Sequence, residues 1–184
     1  LKTNPDSFNV LIDPFCLCAG FKGPEQVRDN KPYHDDITNE WVAPFFMAAI
    51  NTKNVHRSNA MMGHPYGENF LYDEMFSCGP GEAGQKKAEL ISAYNPLLGD
   101  NVPKPGEGPS KESRDSGSYD MLFTGVDAQE IKINVSVKGE GDPGYSSTSK
   151  MIAESALCLL FDCPELPGGI YTTAPAMGQK LIDR

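Results

Sequence analysis

Apolar and polar positions alternate without a miss from Ile131 to Lys138: Ile131, Ile133, Val135 and Val137 stand against Lys132, Asn134, Ser136 and Lys138. Strict period two predicts a strand with one wet face. Tyr119 to Thr124 alternates in the same way, and Gly125-Val-Asp-Ala-Gln129 joins the two stretches, so an antiparallel hairpin is expected. A different spacing governs Phe45, Phe46, Ala48, Ala49 and Ile50, which follow Pro44. Proline at a first-turn position predicts a helix from there to about Met62, stopped by Gly63 with Pro65 just beyond.

Between these elements, Glu68 to Ser77 sets Phe70, Tyr72 and Phe76 on one parity and Leu71 and Met75 on the other, which predicts a strand partly covered on both faces. Ala83 to Tyr94 carries Lys87, Leu90, Ile91 and Tyr94 at helical spacing before Asn95-Pro96 ends it. A further helix is expected after Gly144, capped by the hydroxyls of Ser146 to Ser149, with Ile152, Ala156, Leu159 and Cys163 on one stripe. Ala176 to Arg184 reads as a short helix. Residues 1 to about 40 are rich in turn formers (Pro5, Pro14, Gly20, Gly23, Pro24, Pro32) and form a loop-rich lead-in without a strand that the pattern places. Gly99 to Gly117 reads as a charged, mobile loop.

This order of elements predicts an α+β fold, a mixed and largely antiparallel sheet packed against helices, rather than a regular βαβ series. A chain of 184 residues is long enough for one sizeable core, so residues 1–184 are expected to form a single domain. The hydrophobic share of 39%, with 18 glycines added, reaches the globular average of roughly 45–50%, which argues against disorder of the whole chain. The net charge of −9 opposes a nucleic-acid partner, because phosphate contacts need clustered Lys and Arg. The apolar runs Ala43 to Ile50 and Ala156 to Phe161 fall far short of the roughly 20 residues of a transmembrane helix. The opening Leu1-Lys-Thr-Asn-Pro5, with no initiator Met and no signal-peptide core, is expected to be a cut within a longer polypeptide. Cys16, Cys18, Cys78, Cys158 and Cys163 are too sparse for a disulfide scaffold, so a reducing, cytoplasmic setting is expected.

Gly79-Pro-Gly-Glu-Ala-Gly84 is a literal G-x-G-x-x-G with Asp100 about 20 residues on. Pro80 removes a backbone N–H that a pyrophosphate needs, and loop follows where a second parallel strand should stand, so a strand-to-helix turn is expected instead. No cofactor-binding residue is therefore assigned. Cys16-x-Cys18 with His34 has the wrong spacing for a zinc knuckle, and His34, His56 and His64 form no i, i+4 pair around a Glu, so no metal ligand is assigned either. No G-x-S-x-G elbow occurs. The helix start at Gly144 to Ser149 offers free N–H groups for a phosphate or carboxylate, and ordinary capping explains the same residues. Arg57, Asn59, His64 and Tyr66 cluster at the end of the first helix and its exit turn, where bidentate and acid–base groups converge.

The run Trp41-Val-Ala-Pro-Phe-Phe-Met-Ala-Ala-Ile-Asn-Thr-Lys-Asn-Val-His-Arg-Ser-Asn-Ala60 resembles the substrate-side domain of saccharopine dehydrogenase-like oxidoreductases, which include the trans-acting enoyl reductases. Lys104-Pro-Gly-Glu-Gly-Pro-Ser110 with Glu112 and Arg114, Asp142 to Leu157, and Leu166 to Gly178 resemble later parts of the same domain. The resemblance implies the non-Rossmann half of a two-domain enzyme that reduces a C=C or C=N bond with NAD or NADP, the nucleotide lying on an N-terminal Rossmann domain that this chain lacks. It further implies a small-molecule or acyl substrate held by Arg57, Asn59, His64, Tyr66 and Tyr145. No catalytic residue is carried over, and the isolated chain is expected to be inactive. The rival expectation is a non-catalytic module that keeps the fold for homodimerisation or for docking to a lipid surface.

Overall fold

The computed structural model describes residues 10, 12–27, 31–94 and 106–184. Asp100, the Asn95-Pro96 stop and the first part of the expected 99–117 loop lie outside the described residues. The fold is α+β, and every strand pairing is antiparallel. Two compact units divide the chain: Leu1–Tyr94 with Glu165–Gln179, and Asn95–Pro164 with Lys180–Arg184.

In the first unit, β1 (Tyr33–Asp35), β2 (Glu40–Pro44) and β3 (Met75–Gly79) form a sheet in that order. The lead-in thus contains a strand that the pattern did not place. Asp35 makes the β1–β2 turn: its carboxylate accepts from the backbone N–H of Thr38 at 3.0 Å and from the Thr38 hydroxyl at 2.6 Å. Local capture of backbone donors by an Asp is what lets so short a hairpin form. Helix α1 (Ala48–Met61) follows β2, and helix α2 (Gly81–Ala93) packs on the sheet through Ala88, which meets Ala43 and Cys78 with Trp41 and Ile91 around them.

Two expectations need correction here. Pro44 is the last residue of β2, paired with Met75, and does not open a helix. The apolar run from Trp41 is claimed by sheet pairing on both sides, and a proline without an N–H is harmless at a strand's end. The strand expected over 68–77 shrinks to Met75–Gly79, because the backbone before it bonds a side chain instead of a neighbour strand: Tyr72 N–H donates to Gln26 Oε1 at 3.1 Å, and Phe70 C=O accepts from Gln26 Nε2 at 3.2 Å.

The glycine motif is the turn between β3 and α2. Gly79 and Gly81 sit at φ 88° and 65°, a region that favours glycine. A Cβ on Gly84 would lie 1.9 Å from the Gly79 carbonyl oxygen, so the third glycine lets the helix close on the strand end.

The second unit holds helix α3 (Lys111–Asp115), the hairpin of β4 (Ser118–Val126) and β5 (Lys132–Glu140), and helix α4 (Ser146–Leu157), which continues as a π-turn over Cys158–Asp162. The α3 segment, expected as loop, is helical because Ser110 Oγ caps Ser113 N–H at 3.2 Å. The hairpin forms as predicted, with Met121 opposite Val137 and Phe123 opposite Val135, and Asp127 closes its turn by accepting from Gln129 and Ile131 N–H. One wet face is expected of the hairpin, but its apolar face is exposed as well: Ile133 is 64% and Val135 54% accessible. The serines do not cap α4. Asp142 instead holds the turn that leads into it, its carboxylate accepting from Tyr145 N–H at 2.7 Å and its carbonyl from Ser147 N–H at 2.9 Å, and the N-cap Tyr145 makes no side-chain capping bond. Of the expected α4 stripe, Cys163 is buried while Ile152 and Leu159 are exposed. The expected last helix is two short ones, α5 (Thr173–Met177) and α6 (Gln179–Asp183), separated by Gly178 at φ 49°. Among the described residues, no helix is long and apolar enough to cross a membrane.

Gly84→Ala drives a methyl group into the Gly79 carbonyl, where backbone must move. The expected cost is about 1–3 kcal/mol of unfolding free energy in urea titrations read by Trp41 fluorescence; an unchanged midpoint would contradict this packing.

Candidate functional site

Helix α1 ends in a turn that gathers four of the five sequence-selected residues. Met62 and Gly63 N–H groups close on Ser58 and Ala60, and His64 N–H donates to the Asn59 carbonyl at 2.8 Å. Gly63 at φ 77° and His64 at φ 61° reverse the chain. Asn59, which is buried, then clamps the loop: its Nδ2 donates to Gly67 C=O at 2.9 Å and its Oδ1 accepts from Tyr66 N–H at 3.0 Å. Both ends of the amide are occupied by backbone, so Asn59 shapes the turn rather than offering itself to a ligand.

Arg57 is likewise engaged. One guanidinium nitrogen donates to Leu17 C=O and the other to Ile170 C=O, each at 2.6 Å, joining α1 to a segment 40 residues before it and another 113 residues after it. A planar fork suits two carbonyls at once. Beside it, burial pushes the Cys18 thiol above its ordinary value, a rise that the Arg57 charge opposes. The five cysteines are unpaired, and Cys18, Cys78, Cys158 and Cys163 are buried.

His64 and Tyr66 are the two members with chemistry to spare. The His64 ring lies 4.3 Å from the Phe21 ring at 48°, and its Nδ1 is buried without a hydrogen-bond partner. A buried, unpaired ring nitrogen is costly and points to an unfilled role. Tyr66 leans on Phe70 at 5.3 Å and is 55% exposed. Tyr145 belongs to the second unit, where it precedes α4, lies with its ring 3.5 Å from where a Cβ on Gly108 would stand, and is exposed.

Beneath this turn lies a polar centre that the sequence reading missed. His56, buried, places its Nε2 3.1 Å from Gln26 Oε1, and its ring packs on Phe15 at 4.7 Å and Phe70 at 5.8 Å. The Gln26 amide nitrogen faces the carbonyls of Pro24 and Phe70, and its oxygen faces Tyr72 N–H, so its orientation is settled. Oε1 must therefore accept from His56, which makes Nε2 the protonated ring nitrogen. Tyr72 donates its hydroxyl to Glu74 at 2.9 Å, and Glu74 also takes Asn51 Nδ2 at 2.8 Å. Burial, with Glu74 next to it, pushes the Tyr72 phenol far above its ordinary value. The signal available was the α1 spacing, with His56 and Asn59 three apart on the inward face. A lone loop glutamine gave none.

The G-x-G-x-x-G segment does not fit a dinucleotide. Pro80 stands at the helix N-cap without an N–H, Glu82 brings negative charge to the first turn, and Gly84 is filled by the Gly79 carbonyl.

The chain resembles, over its whole length, a Mycobacterium tuberculosis (strain H37Rv) protein that carries the provisional name trans-acting enoyl reductase, with 32% identity across 210 aligned positions. It is also 27% identical to the trans-acting enoyl reductase of Mycobacterium ulcerans and 26% identical to that of Mycobacterium bovis, each across 209 positions and all of this chain. The chain spans about half the length of the curated relatives it matches, 50% in each case. No family model matches it, and no solved structure does.

Two outcomes follow from this geometry. Arg57→Lys replaces a fork by a single ammonium and is expected to lower stability by about 1–3 kcal/mol in urea unfolding, since one of two backbone carbonyls loses its donor; wild-type stability would show that the bridge carries nothing. Burial holds the His56 imidazole below its ordinary value of 6.5. The unfolded chain therefore takes up a proton that the folded chain resists, so this contribution is complete above pH 6.5 and is lost as pH falls through 6.5 towards the lowered folded value. The urea midpoint should fall between about pH 7.5 and about pH 5.5, and by less in His56→Phe; equal falls in both proteins would refute this role.

Proposed function

We propose that this chain is the substrate side of an oxidoreductase that reduces the C=C bond of an enoyl compound, within a longer protein of the saccharopine dehydrogenase-like kind. The observation that carries the reading is the similarity along the entire chain to proteins named trans-acting enoyl reductase. The C=C bond is preferred to C=N on the strength of those names. All 184 residues serve the substrate side, and the cofactor, NAD or NADP, belongs to a Rossmann domain in the part of the relatives that this chain does not span. A reducing cytoplasmic setting agrees with five unpaired thiols.

In this reading, the five selected residues divide by role. Arg57 and Asn59 are positioning residues that act through backbone: one fastens α1, the other fixes the turn. His64 and Tyr66 face the substrate, an imidazole and a phenol suited to hold the enoyl carbonyl oxygen or to deliver the proton that completes reduction at the α-carbon. Tyr145, the fifth, belongs to the second unit, where its exposed phenol is a separate candidate contact. A small-molecule or acyl substrate fits a site with few charges.

The rival reading, a non-catalytic module for dimerisation or a lipid surface, draws on the exposed apolar residues of the hairpin. The full-length protein separates the two. Enoyl-thioester-dependent oxidation of NADH or NADPH is expected, and His64→Ala with Tyr66→Phe should reduce kcat/KM at least about tenfold. No oxidation with any of a series of enoyl thioesters would favour the module; oxidation untouched by either substitution would remove these two residues from the site. The 184-residue chain alone should bind neither nucleotide more tightly than about 1 mM by calorimetry, and micromolar binding would overturn the division of labour.

A further inference from the structure

Strand β5 is exposed along its length, all but Gly139, and the hairpin it forms with β4 has no third strand among the described residues. Two strands alone are marginal in water, and the outer edge of a nine-residue strand, where every second residue turns its N–H and C=O away from the strand it pairs with, is a template for another strand.

The sequence of β5 says what the edge fits. Its outer positions read Lys132, Asn134, Ser136, Lys138, Glu140 on one face and Ile133, Val135, Val137 on the other. Antiparallel pairing of β5 with its own copy, centred on Ser136, sets Lys132 opposite Glu140 of the partner subunit twice, by symmetry. In the same register, Val135 meets Val137 of the partner subunit, and Asn134 meets Lys138 of the partner subunit. Shifting the centre to Val135 sets Lys132 against Lys138 of the partner subunit twice, and shifting it to Val137 removes the ion pairs. Directly opposed charges of unlike sign stabilise a strand pair and those of like sign oppose it, so one register is selected and its neighbour penalised. Self-pairing of β4 offers no such match, since Asp120 then faces Thr124.

We propose that β5 is the isologous edge of a homodimer, in which two hairpins join across a two-fold axis as a continuous four-stranded antiparallel sheet. Lys138 is held by Asp120 of its own hairpin at 2.8 Å, so the ion pair that this register adds belongs to Lys132 and Glu140 of the partner subunit. Glu140 also borders a cleft of about 420 Å³ with Arg114 and Lys150 in its own subunit. A charge swap, rather than the loss of one charge, is therefore the informative change. The proposal does not rest on the enoyl reductase reading and stands or falls separately.

Analytical ultracentrifugation of the full 184-residue chain tests it, with circular dichroism confirming that each variant keeps its secondary structure. The chain is expected to dimerise reversibly. Lys132→Glu and Glu140→Lys, tested singly, should each weaken the dimer at least about tenfold, and the double variant should regain most of the loss. A chain that stays monomeric up to about 200 μM would overturn the proposal. So would a dimer indifferent to both single reversals, or a double variant weaker than either, because the contact would then lie elsewhere.

Discussion

The first unit depends on one buried carboxamide. Gln26 gives both amide protons to backbone carbonyls, of Pro24 and Phe70, and takes two donors on its oxygen, from Tyr72 N–H and His56. Burying an amide without partners costs several kcal/mol, so this geometry is tightly specified once the aromatic shell of Phe15, Phe70 and Tyr72 closes over it. The consequence is architectural. The lead-in, helix α1 and the segment before β3 are fastened to one another without a shared sheet, and the exit turn of α1, with His64 and Tyr66, inherits its position from that fastening.

This arrangement explains why the selected residues part company. Arg57 and Asn59 carry hydrogen bonds that are spent on backbone, and each would leave carbonyls or N–H groups stranded if drawn toward a ligand. His64 is the reverse: a ring held against Phe21 with one nitrogen unserved, in a left-handed conformation that a histidine seldom adopts. Strain and an unmet hydrogen bond in one residue, next to an exposed tyrosine, distinguish the turn from an ordinary helix end.

What the sequence discloses follows the range of the interactions involved. The β4–β5 hairpin is legible because its period is local and strict, and the turn at Gly79–Gly84 because a proline at the helix start and a close helix–strand approach leave their mark within six residues. The end of α1 is legible from Gly63. The beginning is not: Pro44 reads as a helix start until the run it ends, Trp41 to Pro44, is claimed by β1 and β3 from either side. β1 itself is three residues long and carries no period. The Gln26 centre is invisible because its partners other than Pro24 stand 30 to 46 residues away, and no local pattern marks a loop glutamine as buried. The hydroxyls at the start of α4 mislead for the opposite reason, since four of them advertise a cap that none provides, while Asp142 holds the turn that precedes the helix.

The account comes down to whether the substrate touches the exit turn of α1. Hydrogen exchange of the full-length protein, with and without an enoyl thioester, measures that contact directly. Protection is expected at the backbone of Gly63 to Gly67 on substrate addition, with the Gly79 to Gly84 turn unchanged when nucleotide is added. Nucleotide protection at Gly79 to Gly84, or a substrate footprint that leaves Gly63 to Gly67 untouched, would contradict it.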